Sequence, residues 1–395
     1  MLQAKRIIVV LALLAGVAWP ASAQEAPQPI KIGINVSLTG ALADSIKPVM
    51  WADQLWEKQI NARGGLLGRK VAITFIDNKS NPEDAVAIYQ RLLQDGNEFI
   101  FENGGSIIVQ RESTLAEQHQ KLFLAPNGFA QALYERGYKY LFYTGAALAE
   151  DLNIGLVRLL EALPAAQRPK TIGYVTVENI AFTSTTKGLQ ALAKPLGLET
   201  VLDVTYPPNL SDATPLVTNL KQKSPDIVFQ TGLNNDTLLF ARAAAQQDLR
   251  PKVLAIGLTS AALANFVPSV GDVTNGMIYS SPWEVQAKTT HNEEFVAAFR
   301  DATGGPPNYN AAQGYARWQI FEAAVNATKS LDQKILRDYI GSHSFDTVVG
   351  PIKYNAKGYS TPDDTIVTQF QKGNRVIVWP KALANGEFIY PRGGS

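Results

Sequence analysis

Along most of the chain, short apolar runs bounded by Gly, Pro, Asn or Asp alternate with stretches whose apolar residues recur at helical spacing. "KIGINVSL" is followed by a helical pattern from about Ser45 to Asn61. Arg63-Gly64-Gly65 stops it, glycine supplying the left-handed residue that ends many helices. "VAITFIDN" leads into Asn81-Pro82-Glu83-Asp84, which reads as a capping side chain, a proline at the first helical position and two acids in the first turn. "EFIFENGG" leads to a helix over about Ile107 to Gln120, and "LFLAPNG" to one near Ala130 to Arg136. Strand and helix repeated in this way predict a parallel sheet covered on both faces.

The rhythm restarts at "KTIGYVTV", "ETVLDVTY", "DIVFQTG" and "KVLAIG", with helical patterns near Thr183 to Leu196, Ala213 to Gln222 and Thr237 to Gln247. Two doubly wound units of similar size follow from this. The remainder does not simply extend the second unit. "GMIYSSPW" reads as a strand, helices follow near Glu293 to Thr303 and Ala311 to Ser330, and "TIVTQFQKGNRVIVWP" reads as a hairpin turning at Gly373-Asn374. The chain is therefore expected to cross between its lobes more than once.

Composition narrows the class. Lys5 and Arg6 precede the apolar run Ile7 to Ala18, and Ala21-Ser22-Ala23 supplies small residues at cleavage spacing, the order of an export signal. The apolar run is about a dozen residues, short of the roughly 20 that a bilayer requires. Cleavage after Ala23 leaves 395 − 23 = 372 residues and reduces 36 basic residues to 34, against 35 acidic. Such near-neutrality argues against a nucleic-acid partner. The chain has no cysteine, so neither disulfides nor a lipid anchor after the signal is expected, and a free periplasmic protein follows; a monomer is expected. His119, His291 and His343 stand at no ligand spacing, so no metal is expected. Nucleophile-elbow, phosphate-loop and dinucleotide motifs are missing, and nothing in the sequence asks for catalysis or a cofactor.

In open α/β sheets ligands sit beyond the carboxyl ends of the strands, where helix N-termini present free N–H groups. Asn103-Gly104-Gly105-Ser106 is such a turn, and two glycines let backbone approach a ligand beside a serine hydroxyl. Ser106 either meets a carboxylate there or merely caps its own helix. "QTGLNNDTLLFARAAA" repeats the arrangement in the second unit with Asp236, which either holds a cation or complements the helix dipole. Ser45, Ala181, Phe182 and Trp283 stand at other turns or element starts, where packing competes with ligand contact.

In order over nearly the whole mature chain, "IGINVSLTG", "INARGGLLGRKV", "DNKSNPEDAV", "PNGFAQALYERGYKYLFYTG" and "VVGPIKYNAKG" closely resemble the type I periplasmic solute-binding proteins of ABC importers, in their leucine/isoleucine/valine-binding branch. The resemblance implies an α/β fold of two doubly wound parallel-sheet lobes joined by three crossovers. These fall near Tyr143 to Gly145, Ser281 to Trp283 and Val348 to Pro351. One lobe would comprise residues 30–144 and 284–348, the other 145–283 and 349–395.

By the same resemblance, Ser106 falls on the serine that grips a ligand carboxylate, and Asn127, Gly128 and Phe129 on the next loop, with Phe129 replacing a threonine. Asp236 falls on the acid that holds an amine. Ala181 or Phe182 takes the place of a tyrosine in the second lobe, and Ser45 that of another in the first. Phe129 removes a hydroxyl donor and adds an apolar face, while Ser45 and Ala181 enlarge the cleft. The expected function is that of a periplasmic receptor that binds a hydrophobic or branched-chain amino acid between its lobes and delivers it to a membrane permease. An aromatic carboxylate or an amide or urea compound is the alternative ligand, and a sensory module the alternative role.

Overall fold

The computed structural model describes residues 27–393; the export signal expected over residues 1–23 lies outside them. Ile30–Val36 (β1) is buried along almost its whole length because it lies between two parallel neighbours, Val71–Asp77 (β2) and Phe99–Asn103 (β3). Helices Ala43–Ala62 (α1), Pro82–Gln94 (α2) and Ser106–Gln118 (α3) make the crossovers around these strands. The start of α2 follows from its sequence: Asn81 Oδ1 accepts from the Glu83 and Asp84 N–H groups at 2.8 and 2.9 Å, and Pro82 has no N–H to leave unpaired. A short parallel pair, Phe123–Ala125 (β4) and Leu141–Tyr143 (β5), follows.

The helix expected near Ala130 to Arg136 is reduced to one 3-10 turn, Gln131–Leu133. Tyr134 turns inward, donates to the Gly128 carbonyl at 2.7 Å and packs its ring on Tyr143 and Tyr359, which ends the helical course before the left-handed Gly137.

The chain then builds the second sheet. In order these elements are Ile154–Glu161 (α4), Thr171–Val177 (β6), Ile180–Leu192 (α5), Glu199–Tyr206 (β7), Thr214–Lys223 (α6), Ile227–Thr231 (β8), Asn234–Gln246 (α7), Val253–Ile256 (β9), Leu258–Ala261 (α8), Phe266–Val270 (α9) and Met277–Ser281 (β10). It returns to the first lobe for Asn292–Thr303 (α10), Tyr309–Thr328 (α11), Gln333–Ser342 (α12) and the small hairpin Ser344–Thr347 (β11) and Gly350–Lys353 (β12). It ends in the second sheet as Ile366–Gln371 (β13) and Asn374–Trp379 (β14). The strand order is β14-β13-β10-β9-β8-β6-β7, parallel except for the terminal hairpin, whose β13 runs antiparallel to β10. Among the described residues no helix is long and apolar enough to cross a membrane.

The chain passes between the two sheets after β5 and again after β10. Past Ser281, Trp283 enters the first lobe by donating Nε1 to Asn292 of α10 at 3.1 Å and packing on Phe295. Val348 and Val349, however, form the turn of the β11–β12 hairpin, and Gly350 and Pro351 open β12. The Val348 N–H is held by Gln319 of α11 at 2.9 Å, and Tyr354 packs on Phe142 at 5.0 Å. The chain reaches the second lobe at Thr365, whose hydroxyl donates to the Leu152 carbonyl and accepts from the Gly155 N–H, both at 2.8 Å.

Helix α11 is locked onto the first sheet from below. Trp318 stacks on Trp56 at 4.1 Å, and the fully buried Arg317 pairs with Asp53 of α1. Arg317 Nη1 also donates to the Glu102 carbonyl at 2.9 Å, so β3, α1 and α11 share one polar clamp. Removing one partner of such a buried pair costs about 3–5 kcal/mol.

Candidate ligand-binding cleft

A cavity of about 100 Å³ lies between the lobes. The first lobe lines it with Leu42, Ser45 and Ile46 from the start of α1, Gly104 to Ile107 from the β3–α3 turn, Asn127 and Phe129 from the loop after β4, and Tyr309, Asn310 and Gln313 from α11. The second lobe adds Leu152, the turn into α5 (Asn179, Ala181, Phe182, Thr185), Thr231 at the end of β8, and Gly257 to Thr259 after β9. Each segment follows a strand or opens a helix, so the cavity sits beyond the carboxyl edges of both sheets. Six expected site residues therefore meet on one wall or another: Ser45, Ser106, Asn127, Phe129, Ala181 and Phe182.

Local backbone explains why Ser106 reaches the cavity. Gly105 has φ 79°, a conformation open to glycine at little cost, and the chain turns there sharply enough for α3 to begin at once with Ser106. Ser106 Oγ accepts from the Phe129 and Ala130 N–H groups at 2.9 and 3.2 Å, which ties the two first-lobe loops together and leaves its own proton for another acceptor. Asn127 Nδ2 donates to Asn310 at 2.8 Å, and Gln313 Nε2 donates to the Pro126 carbonyl at 2.9 Å. Asn127 Oδ1 and Thr231 Oγ1 are buried on the cavity wall without a protein partner. Asn234 Nδ2 reaches Ser45 Oγ at 3.5 Å, a polar contact from one lobe to the other.

Three expected residues lie elsewhere. Gly128 is packed under Tyr134: a Cβ there would stand 2.7 Å from the tyrosine hydroxyl, so its smallness serves that close approach. Trp283 is buried against α10 and lines a different groove. Asp236 is only 1% exposed and off the cavity wall. As the third residue of α7 its carboxylate turns back to the loop after β7 and accepts from the Leu210 N–H at 3.1 Å. Its other oxygen has no protein partner, and burial holds the group above the usual carboxylate range.

Electrostatically, the cavity is made of backbone and neutral side chains; among the described residues that line it, none carries a charge. The N-termini of α1, α3, α5 and α11 all reach its wall, each bringing the positive end of a helix dipole, with Asn179 and Asn308 capping the Ala181 and Ala311 N–H groups of α5 and α11. Burial pushes the Tyr309 hydroxyl up to about 12, so it faces the cavity neutral. The sequence reading missed Asn179, Thr231, Tyr309, Asn310 and Gln313. Asn308-Tyr309-Asn310 after Gly305-Pro306-Pro307 is a legible helix start, with Asn308 capping Ala311 at 3.0 Å, but nothing local says that it faces the cleft.

A family model described as periplasmic binding protein matches residues 29–375. The Leu/Ile/Val-binding protein homolog 7 of Brucella suis biovar 1 (strain 1330) is 25% identical over 401 residues, covering 97% of this chain and 98% of that protein. Two crystal structures share the fold. The leucine-binding protein LivK of Thermotoga maritima MSB8 has a TM-score of 0.79 at 16% identity, over 88% of this chain and 97% of that one. An ABC-transporter solute-binding protein of R. palustris in complex with benzoate has a TM-score of 0.75 at 19% identity, over 93% and 98%.

Proposed function

Because the chain belongs to the periplasmic binding proteins, of the Leu/Ile/Val-binding type, we propose that it is the solute receptor of an ABC importer and that its ligand is a compact apolar carboxylate, with benzoate-like ring acids as the leading class. The observation that carries this reading is the charge pattern of the cleft: the N-termini of α1, α3, α5 and α11 reach it, and among the described residues no acid lines it. A carboxylate gains from those dipoles and from the free Ser106 proton, each dipole contributing about 0.3–2 kcal/mol. An ammonium in the same place would be buried without a partner, at a cost of several kcal/mol. Ligand would sit between Ser106 and Thr231, stack on Phe129 and Phe182, and favour the closed arrangement through contacts that exist only when both lobes reach it. The closed receptor then delivers it to a membrane permease.

A second reading, a branched-chain amino acid, draws on the unpartnered oxygen of the buried Asp236, five residues beyond Thr231 on the cavity wall. A thermal-shift screen separates the two, since a ligand that binds only the native state raises its melting temperature. Benzoate and its ring-substituted relatives are expected to raise it by several degrees, with leucine and valine silent. A response to leucine with none to benzoate would overturn the carboxylate reading.

A further inference from the structure

Directly beneath the β3–α3 turn lies an acid that the binding site has not absorbed. Glu102 is fully buried, and its Oε2 accepts from the Gly104 N–H at 2.6 Å, so this carboxyl holds from below the turn that presents Ser106 to the cavity. Its other oxygen has no protein partner. Charged and titratable groups face it from several elements: Asp53 on α1, Glu112 on α3, Arg317 on α11 and Tyr134 after the 3-10 turn. The cations do not balance the acids. Arg317 is committed to Asp53, which also accepts from Trp318 at 2.7 Å and Asn103 at 2.6 Å. What Arg317 offers Glu102 directly is a bond to its main-chain carbonyl. Glu112, equally buried and bonded to Asn35, has no cation either.

We propose that Glu102 is a positioning residue for the ligand's carboxylate, holding the Gly104–Gly105–Ser106 turn in its neutral, protonated form, so that capture of an anion is coupled to a proton on this buried carboxyl. The inference rests on the carboxylate reading above. Two buried carboxyls without cations cannot both ionise cheaply, and a ligand anion at Ser106 adds a third negative charge on the same side of the fold. Burial pushes Glu102 up to about 8, and burial together with the Glu102 charge raises Glu112 well above the ordinary range. The sign follows. Below about 8 the group is neutral and the anion meets only N–H groups. Above it the ionised carboxylate opposes the ligand, and affinity falls by up to about tenfold per pH unit, the limit for one linked proton.

Calorimetry with benzoate, at about pH 6.5 and about pH 8.5 in buffers of different ionisation heat, counts the protons taken up. The wild-type protein is expected to bind several-fold more weakly at the higher pH and to take up part of a proton per ligand there. Glu102→Gln still offers an oxygen to the Gly104 N–H, and is expected to bind at both pH values alike with no uptake. Glu112→Gln, which leaves the turn untouched, should keep the wild-type pH dependence. Uptake that survives Glu102→Gln, or vanishes instead in Glu112→Gln, overturns the proposal, as does a wild-type affinity that does not change with pH. Failure of wild type to bind benzoate at either pH would count against the carboxylate reading alone. In that event melting curves without ligand decide: wild type should lose stability relative to Glu102→Gln between about pH 6.5 and about pH 8.5, and parallel curves overturn the neutral carboxyl.

Discussion

The turns after β3 and after β8 occupy corresponding places in the two lobes, and each carries an acid, yet they offer the cleft different chemistry. After β3 the acid is the strand residue Glu102, and Gly105 at φ 79° lets α3 start with Ser106 on the cavity wall. After β8 the chain runs extended through Leu233, at φ −64° and ψ 164°, before α7 starts at Asn234, and the acid, Asp236, is already a helix residue. Its carboxylate faces Leu210, so the cavity receives Thr231 instead. Both acids stand behind the wall and burial raises both. What faces the cavity on the first side is an O–H backed by a helix N-terminus, and on the second a threonine at a strand end. Neither acid therefore offers its charge to the cavity, and the two turns differ in the hydroxyl they present there.

The sharpest way to break this comparison is to remove the hydroxyl from the first turn. Ser106→Ala loses a donor to the ligand anion, about 1.5–3 kcal/mol for a charge-assisted bond, and is expected to raise the Kd for benzoate by about 10–100-fold. It also frees the Ala130 N–H from its 3.2 Å bond, a cost to folding of about 1 kcal/mol that leaves the protein native. Thr231→Val, the parallel deletion in the second lobe, should cost less than about threefold, since its hydroxyl is not part of a helix N-terminus. Calorimetry on both variants checks this, and equal losses would mean that the two turns grip the ligand alike.

Much of this asymmetry could not be read from the sequence. The strands were legible because parallel strands buried on both faces appear as unbroken apolar runs, and α2 because Asn81 and Pro82 carry its start in two residues. Ser106 could be nominated because strand-to-helix turns are where such folds bind, and Asn127 and Phe129 through the family resemblance. The direction of Asp236 could not, because it depends on the Leu210 N–H, 26 residues away in another loop. Asn310 and Gln313 were missed for the same reason: their places are set by Asn127 and Pro126, 183 and 187 residues distant. Trp283 looked like a cleft residue because it follows a strand, but the strand leads into a crossover, and the indole is spent on α10. The 3-10 turn at Gln131–Leu133 replaces a helix because Tyr134 is claimed by Gly128 and Tyr143.

A smaller effect tests whether the first side also supplies the aromatic contact. Phe129 is half-buried on the cavity wall and packs edge-on to Tyr143 at 6.4 Å, and its N–H is fixed by Ser106. Phe129→Leu keeps an apolar side chain but loses ring-to-ring attraction worth about 0.5–1.5 kcal/mol, a factor of about 2–10 in Kd. The loss is expected for benzoate and not for cyclohexanecarboxylate. An equal loss for both would assign Phe129 a role in shape alone.

The smallest expected change is at the second turn, and it tests the comparison from the other side. Asp236→Asn keeps an oxygen for the Leu210 N–H. For a carboxylate ligand the Kd should move by less than about threefold, because the acid is not on the wall. Stability should move the other way from a lost anchor. The folded protein holds Asp236 above the usual carboxylate value, so its ionised form costs stability once pH exceeds the unfolded value, and that cost disappears in acid. The variant should therefore melt at most a few degrees higher than wild type near neutral pH, with the gap closing as pH falls toward the carboxylate range. If instead the substitution weakens leucine binding by more than about tenfold, the second turn does offer its charge to the ligand, and the amino-acid reading replaces the carboxylate one.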